Sequence, residues 1–367
     1  MKFKILRQLL SDTVSNISRF VSAKSSVSAL EGILLKVKDN NLSLSGYDLE
    51  TGASVTIECN AIEPGEIILT AKLFFDIIRK MPGEFITVEC GKKFDVVITS
   101  EHTTFNLLGI PAEEFPELPS VNTEKSFNIN GNILSNMIRK TIFAVSQNES
   151  KPVYTGILFE IEEDYMNLVA LDGFRLALCR EEIKFSYSTK FVVPSKTLAE
   201  IVKLAVDFDD DITISIGKRQ IIFVVNGYSV YSRILDGDFS DYASFIPNEI
   251  KTEILVNKRS MCDCVERASL LINERLKSPV KCEFNNNSLK LSCVTAIGKI
   301  NDEIELKIKG EDVLIGFNNR YLIDALKNVD EDEVKLLLNG PLAPMKIKPI
   351  EGDSFLYLVL PLRMKND

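Results

Sequence analysis

The 367-residue chain is 45% hydrophobic, holds only 18 Gly and 13 Pro, and carries a formal charge of −9 at pH 7. This composition excludes a disordered or fibrous protein, and the length suits two to four folded domains. A single histidine removes most acid–base and triad chemistry, and the acidic balance taken alone argues against a polyanionic partner.

In chain order, "MKFKILRQLL" reads as a strand entering a helix. Its apolar run breaks at Ser11-Asp12 with no small-residue cleavage site after it, so it is not read as a secretory signal. An amphipathic helix is expected over 7–22, followed by strands such as "GILLKVKDNNLSLSGYD" with an Asn-Asn turn. A second helix, "KLFFDIIRK" (72–80), groups Leu73, Phe74, Ile77 and Ile78 on one stripe against Lys72, Asp76, Arg79 and Lys80. The hairpin "FITVECGKKFDVVIT" comes next, and a Pro-rich polar joint follows at 116–126. The same order returns with helices at 132–147 and 196–203, the hairpin "DITISIGKRQIIFVV" and a joint at 247–253. It returns again with helices at 258–274 and 320–327.

The recurrence has a fixed period. Lys72, Lys196 and Arg320 stand 124 residues apart, as do Asp76, Glu200 and Asp324, and Arg79, Lys203 and Lys327. Gly32 and Gly156, Asp48 and Asp172, and Phe115 and Phe239 keep the same step. Repeats define an architecture before motifs do, and this one gives three α+β domains, 1–122, 123–250 and 251–367, each with two amphipathic helices on largely antiparallel strands, about eight per domain.

Charge is sorted by element. Taken with their flanks, as windows 7–24, 72–80, 132–151, 196–203, 257–277 and 320–327, the six helices hold 18 Lys/Arg against 8 Asp/Glu, a net of +10, which leaves −19 on the rest. Lys and Arg are good helix formers, but Glu is equally good and sits mostly in strands and loops, so we read the helices as contributing to one shared basic surface. The acidic runs "DFDDD" (207–211) and "DEDE" (330–333) lack the glycine and ligand spacing of a calcium loop and read as solvated turns. Cys262 and Cys264 are the only close cysteine pair, and the sole histidine, His102, is remote, so no metal and no cofactor is expected. Seven scattered cysteines suit reduced thiols in a cytoplasm, and no run approaches the roughly 18 apolar residues that cross a bilayer. Phosphate-loop, dinucleotide, nucleophile-elbow and zincin motifs are all missing, which favours a binding or scaffolding role over an enzyme.

The ordered set "MKFKI", "LSLSGYDLE", "TAKLFFDIIRKMP", "FPELP", "ALDGFRLAL", "VVPSKTLAEIVKL", "LDGDFSDY", "IGFNNRYLIDAL" and "YLVLPLR" resembles the β subunit of bacterial DNA polymerase III, the sliding-clamp family, across all three repeats. The resemblance implies a non-catalytic processivity factor. Two copies would join head to tail in a ring around duplex DNA, helices inside and sheets outside, without base readout. Twelve helices about 9 Å apart would enclose an opening of roughly 25 Å. Backbone contacts are expected from Lys24, Lys72, Arg79, Lys80, Arg139, Lys140, Lys196, Lys203, Lys258, Arg259, Arg320 and Lys327.

The resemblance also implies a cleft in which polymerase subunits, the clamp loader and repair proteins insert short peptides. It maps to Tyr154, Leu171, Gly173, Phe174, Arg175, Leu176, Ser240, Phe245, Leu358, Leu360, Pro361, Leu362 and Arg363, with Arg175 helping to orient the peptide. On its own pattern "LALDGFRLAL" reads equally as a core strand-turn-strand. Leu171 and Phe174 stand where the family more often has Thr and His or Tyr, Ser240 replaces a common Pro, and Met364–Asp367 extends the usual ending, so a greasier pocket is expected. Phe105, Leu270 and Leu271 match the family's dimer contact, although core packing would explain them as well. A monomeric three-domain scaffold and a metal-dependent nuclease are the rival readings.

Overall fold

A computed structural model describes residues 1–120, 125–272 and 278–364. The expected domain joint at 122/123, the last residues of the 258–274 helix and Lys365, Asn366 and Asp367 of the C-terminal extension lie outside the described residues.

The first repeat opens on β1 (Lys2–Leu6) and α1 (Arg7–Ile17). Strands β2 (Gly32–Lys38), β3 (Asn41–Tyr47), β4 (Thr51–Glu58), β5 (Asn60–Glu63) and β6 (Gly65–Thr70) lead to α2 (Ala71–Lys80). The repeat ends with β7 (Phe85–Cys90), β8 (Asp95–Ser100) and β9 (Thr103–Leu108). The second has β10 (Lys125–Asn130), α3 (Gly131–Ile142), β11 (Gly156–Ile161), β12 (Met166–Leu171), β13 (Arg175–Glu181) and β14 (Thr189–Pro194). It finishes with α4 (Ser195–Leu204), β15 (Asp211–Ile216), β16 (Gln220–Val225) and β17 (Tyr228–Arg233). The third runs through β18 (Thr252–Asn257), α5 (Lys258–Ser269), β19 (Val280–Asn285), β20 (Ser288–Thr295), β21 (Gly298–Glu305), β22 (Lys307–Gly310) and β23 (Val313–Phe317). Helix α6 (Asn319–Lys327), β24 (Glu333–Leu338), β25 (Met345–Lys348) and β26 (Phe355–Val359) complete it.

All six expected helices are present, with three differences. The first helix of each repeat stops early: α1 gives way to a 3₁₀ turn over Ser18–Phe20, and past α3 and α5 the chain shifts to i→i+3 bonds, Ala144 N–H to Thr141 O and Leu271 N–H to Ala268 O. Such bonds tighten a final turn and satisfy its carbonyls. On α2 the buried stripe is Ala71, Phe74, Ile77 and Ile78, whereas Leu73 lies at its margin, 50% exposed. His102, in "TSEHTTFNL", a segment that reads as a strand by pattern, sits in an exposed turn between β8 and β9.

The strands form four antiparallel sheets among the described residues, and the sheets do not follow the sequence repeat. One contains β5-β1-β7-β8-β9 of the first repeat, and another β21-β20-β19-β23 of the third. An eight-stranded sheet, β10-β15-β16-β17-β4-β3-β2-β6, joins half of repeat two to repeat one; a nine-stranded sheet, β14-β11-β12-β13-β26-β25-β24-β18-β22, joins the other half to repeat three. Accordingly the chain divides into two compact units, residues 1–135 with 196–234, and residues 136–195 with 235–367.

Local chemistry explains the landmark glycines. A Cβ at Gly32 would lie 2.2 Å from Ile68 Cγ2, and one at Gly156 would lie 2.5 Å from the Val193 carbonyl, so each glycine lets a strand press against its neighbour. Asp39 and Asn40 adopt positive φ (51° and 59°), as do Asn286 and Asn287 (47° and 56°), which is the pairing a tight right-twisting hairpin requires. No helix among the described residues is long and apolar enough to cross a membrane.

Candidate nucleic-acid interface and peptide cleft

The helices bury their apolar stripe against a sheet and leave cations on the other side. Lys72, Arg79, Lys80, Arg139, Lys196, Lys203, Arg259, Arg320 and Lys327 on the helices are all exposed, as is Lys24, which lies in a bend beyond α1. Four of them make surface ion pairs: Arg79 with Asp76 (3.5 Å), Lys196 with Asp48 (2.8 Å), Lys203 with Glu200 (2.7 Å) and Lys327 with Glu266 (2.7 Å). With both partners exposed, the Arg79–Asp76 and Lys327–Glu266 pairs contribute little to stability and exchange readily for another anion, whereas the Asp48 and Glu200 carboxylates are largely covered. Lys24, Lys72, Lys80 and Arg259 have no ion pair among the described residues.

Two expected contacts are placed differently. Lys140 is only 8% exposed and its Nζ lies 2.8 Å from Asp330. Burial alone would lower its pKa, but the Asp330 carboxylate more than reverses this and holds the ammonium above its ordinary value. Lys258 is half-buried and donates to the carbonyls of Val329 (2.8 Å) and Asp330 (3.5 Å) just past α6. Helical periodicity located both cations on the polar side; it could not show that the loop after α6 covers that side. No metal-binding group of His, Cys, Asp or Glu occurs among the described residues.

The cleft residues gather in the second compact unit. Leu171, Leu176 and Leu358 face one another across β12, β13 and β26, since Leu171 pairs with Leu176 and Leu176 with Leu358. They belong to one buried apolar cluster with Val153, Leu158, Val169, Leu178 and Val192, against which Tyr154, Phe239 and Ile246 pack. The Tyr154 hydroxyl lies 2.5 Å from Ser240 Oγ, so the serine that replaces the family's proline ties that ring to the loop after β17.

Asp172 and Gly173 make the turn. Asp172 Oδ1 accepts from the N–H groups of Phe174 (2.9 Å) and Arg175 (3.0 Å), and Gly173 takes φ +88°, a conformation costly for any side chain. Phe174 is held out at the tip, 55% exposed, and stacks on Tyr321 with centroids 6.2 Å apart. Leu360 (37% exposed) donates its N–H to Phe174 O at 2.9 Å, and Leu362 donates to Gly316 O at 2.8 Å. Pro361 is half-buried, and Phe245 and Arg363 are exposed.

Arg175 is engaged within its own chain. Its side chain is 10% exposed, its Nε donates to Asp172 Oδ2 (3.0 Å), its Nη1 donates to Asp324 Oδ2 (2.5 Å), and its guanidinium lies 4.6 Å from the Tyr321 ring centroid. It ties the turn to α6 through two of its five N–H donors. A 1110 Å³ pocket beside it is lined by Tyr154, Gly173, Phe174 and Arg175, and also by Phe143, Tyr321 and Asp324. The sequence reading missed the last three. Tyr321 carried a signal, because the matching positions in the other repeats are the smaller Leu73 and Thr197.

A polar network under the cluster fixes the loop that carries Phe245. Glu160 accepts from Lys190 Nζ (2.6 Å), Asn167 Nδ2 (2.7 Å) and the Tyr242 hydroxyl, and Tyr242 begins the 3₁₀ turn Tyr242–Phe245. Burial alone would raise the Glu160 pKa; these donors outweigh burial and hold it below the ordinary carboxylate value. A depressed folded pKa gives stability that is present above the unfolded value of about 4.3 and is lost as pH falls through the folded one. Thermal unfolding from pH 7 to pH 3 should therefore lose stability more steeply in the parent than in Glu160→Gln, which should itself be weaker at pH 7 by about 1 kcal/mol.

The expected dimer residues lie at open edges. Strand β9 is the outer strand of its sheet, with Phe105 38% and Leu108 80% exposed. Strand β21 is likewise an outer strand; Leu270, one residue past α5, is 82% exposed, and Leu271 lies 3.7 Å from the position of a Cβ on Gly298.

Family models for the DNA polymerase III beta subunit match the whole arrangement: its N-terminal domain at residues 1–119, its central domain at 128–241 and its C-terminal domain at 243–363. The beta sliding clamp of Staphylococcus epidermidis is 31% identical over 374 residues, covering 99% of both chains. The DNA polymerase sliding clamp of Bacillus subtilis superposes with TM-score 0.96 at 31% identity over 100% of both chains. The DNA polymerase beta subunit of Streptococcus pyogenes does so with TM-score 0.95 at 28% identity, over 99% of this chain and 100% of that one. With three clamp domains and matches that run from end to end, the chain belongs to the DNA polymerase III beta subunit family, the DNA sliding clamps, and is a non-catalytic processivity factor of the polymerase.

Proposed function

We propose that two copies close head to tail into a ring around duplex DNA in the cytoplasm. Tethering to polymerase subunits, clamp loader and repair proteins then runs through peptides held at the cluster around Leu171, Leu176, Leu358 and Leu360. The observation that carries the ring is the sheet pattern. Each half of the middle repeat shares a sheet with a neighbouring repeat, and among the described residues this leaves the half containing β9 and the half containing β21 without such a partner.

The two joints inside the chain predict the register of the third. In the first compact unit Val230 of β17 pairs with Ala53 of β4, and in the second Tyr357 of β26 pairs with Ala177 of β13. Val230 lies opposite Phe223 in its own hairpin and Tyr357 opposite Ile347; Phe105 has the same place, opposite Ile98. Ala53, Ala177 and Ile300 match likewise, opposite Gly46, Ala170 and Cys293. Phe105 should then pair with Ile300 of a second copy, and Leu107 with Gly298. Phe143, one residue past α3, packs edge-on against Tyr357 at 5.1 Å, and Leu270 occupies the matching place past α5. The same symmetry therefore puts Leu270 over Phe105 of the other copy.

Exposed helical cations suit a duplex held by phosphate attraction, screened over about 8 Å at physiological salt, so the DNA is retained by topology and slides. The test is retention on a nicked circle after loading with a clamp loader and ATP. Protein should stay on the closed circle and leave once the circle is linearised; continued binding to the cut DNA would overturn encirclement.

A further inference from the structure

We infer that Lys346 selects, in the peptide that fills the cleft, an acidic side chain placed just beyond its apolar residues. The inference rests on the peptide-cleft reading and names a specificity determinant within it. Lys346 lies on β25, paired with Leu358 on one side and Leu337 on the other. Cross-strand partners share a sheet face, so the row Leu171, Leu176, Leu358 that floors the cluster continues directly into Lys346. One strand beyond the last leucine, an apolar floor becomes a cation.

That cation is 7% exposed, and no carboxylate pairs with it among the described residues. Its hydrogen bond there is to the Pro247 carbonyl at 2.5 Å, next to Ile246, which packs against the same cluster. Burial and then the nearby Lys348 push the Lys346 pKa down, as expected for an ammonium without a counterion. A buried charge with a single neutral acceptor is costly, and a carboxylate arriving with the ligand would relieve that cost. An apolar residue on Leu358 with an acidic one a strand further along is the complementary ligand, and a charge-assisted bond of this kind corresponds to about tenfold in affinity.

The test is selection of short peptides from a randomised display library on the full-length protein, on Lys346→Met and on Lys346→Gln. The parent should enrich apolar peptides with an Asp or Glu flanking the apolar stretch, and both variants should lose that enrichment. One selected acidic peptide and its Asp→Asn or Glu→Gln partner are then measured on all three proteins. The acidic form should bind the parent about tenfold better than the amide form, and the two should bind Lys346→Met equally. Lys346→Gln keeps a donor for Pro247; if it preserves acidic preference, or if the parent selects apolar peptides with no acidic bias, the inference is overturned while the cleft stands. Selection of no apolar peptide would instead remove the cleft reading.

Discussion

Phe105→Asp and Leu270→Asp should each convert a pair of 41.1 kDa chains into single chains, read by sedimentation, with residence on nicked circles abolished. The size of the effect follows from position. Phe105 matches Val230 and Tyr357, both 0% exposed within their own joints, so a carboxylate there would be buried without a counterion. That costs on the order of 3–5 kcal/mol at each joint, and a two-copy ring has two such joints. Register is testable separately. A disulfide should form across copies between Leu107→Cys and Gly298→Cys, and not between Leu107→Cys and Ile300→Cys, because a displacement of two residues takes the Cβ atoms beyond the roughly 4.5 Å limit. A dimer that survives both charged substitutions, or that cross-links in the displaced register, would refute the joint as described.

Arg175→Ala should destabilise the second compact unit strongly for a change at a side chain outside its apolar core. It would leave Asp172 (side chain 12% exposed) and Asp324 (30%) facing each other's neighbourhood without their shared cation, and would strip a ring contact from Tyr321. Loss of about 3 kcal/mol is expected, a drop in Tm of roughly 6–12 °C for a unit of this size. Arg175→Lys should recover only part, since an ammonium cannot span two carboxylates as the planar guanidinium does. Removing Asp324 as well should recover some of the loss. If Arg175→Ala keeps the parent Tm but loses peptide binding, the residue contacts peptide directly and the tie described here is wrong.

Much of this was legible in the sequence because it is local. The 124-residue step, the six amphipathic helices and the Asp172-Gly173 turn depend on residues a few positions apart, where periodicity and turn chemistry act directly. Sheet partnership is different. Nothing near Thr51 announces that it lies opposite Ser232, because that pairing is set by shape complementarity over nearly two hundred residues of chain. For the same reason Lys140 and Arg175 looked available: their own segments show the polar side, while the carboxylates that claim them, Asp330 and Asp324, come from another repeat. Tyr321 was hidden among conserved-looking helical spacing and stands out only as a departure from its counterparts.

Among the described residues the middle repeat possesses no sheet that is wholly its own, and this limits how the molecule can be taken apart. Excising residues 123–250 as a free-standing module would bare two raw backbone edges at once, β13 and β17, whereas a cut between the two compact units leaves these strand pairings whole.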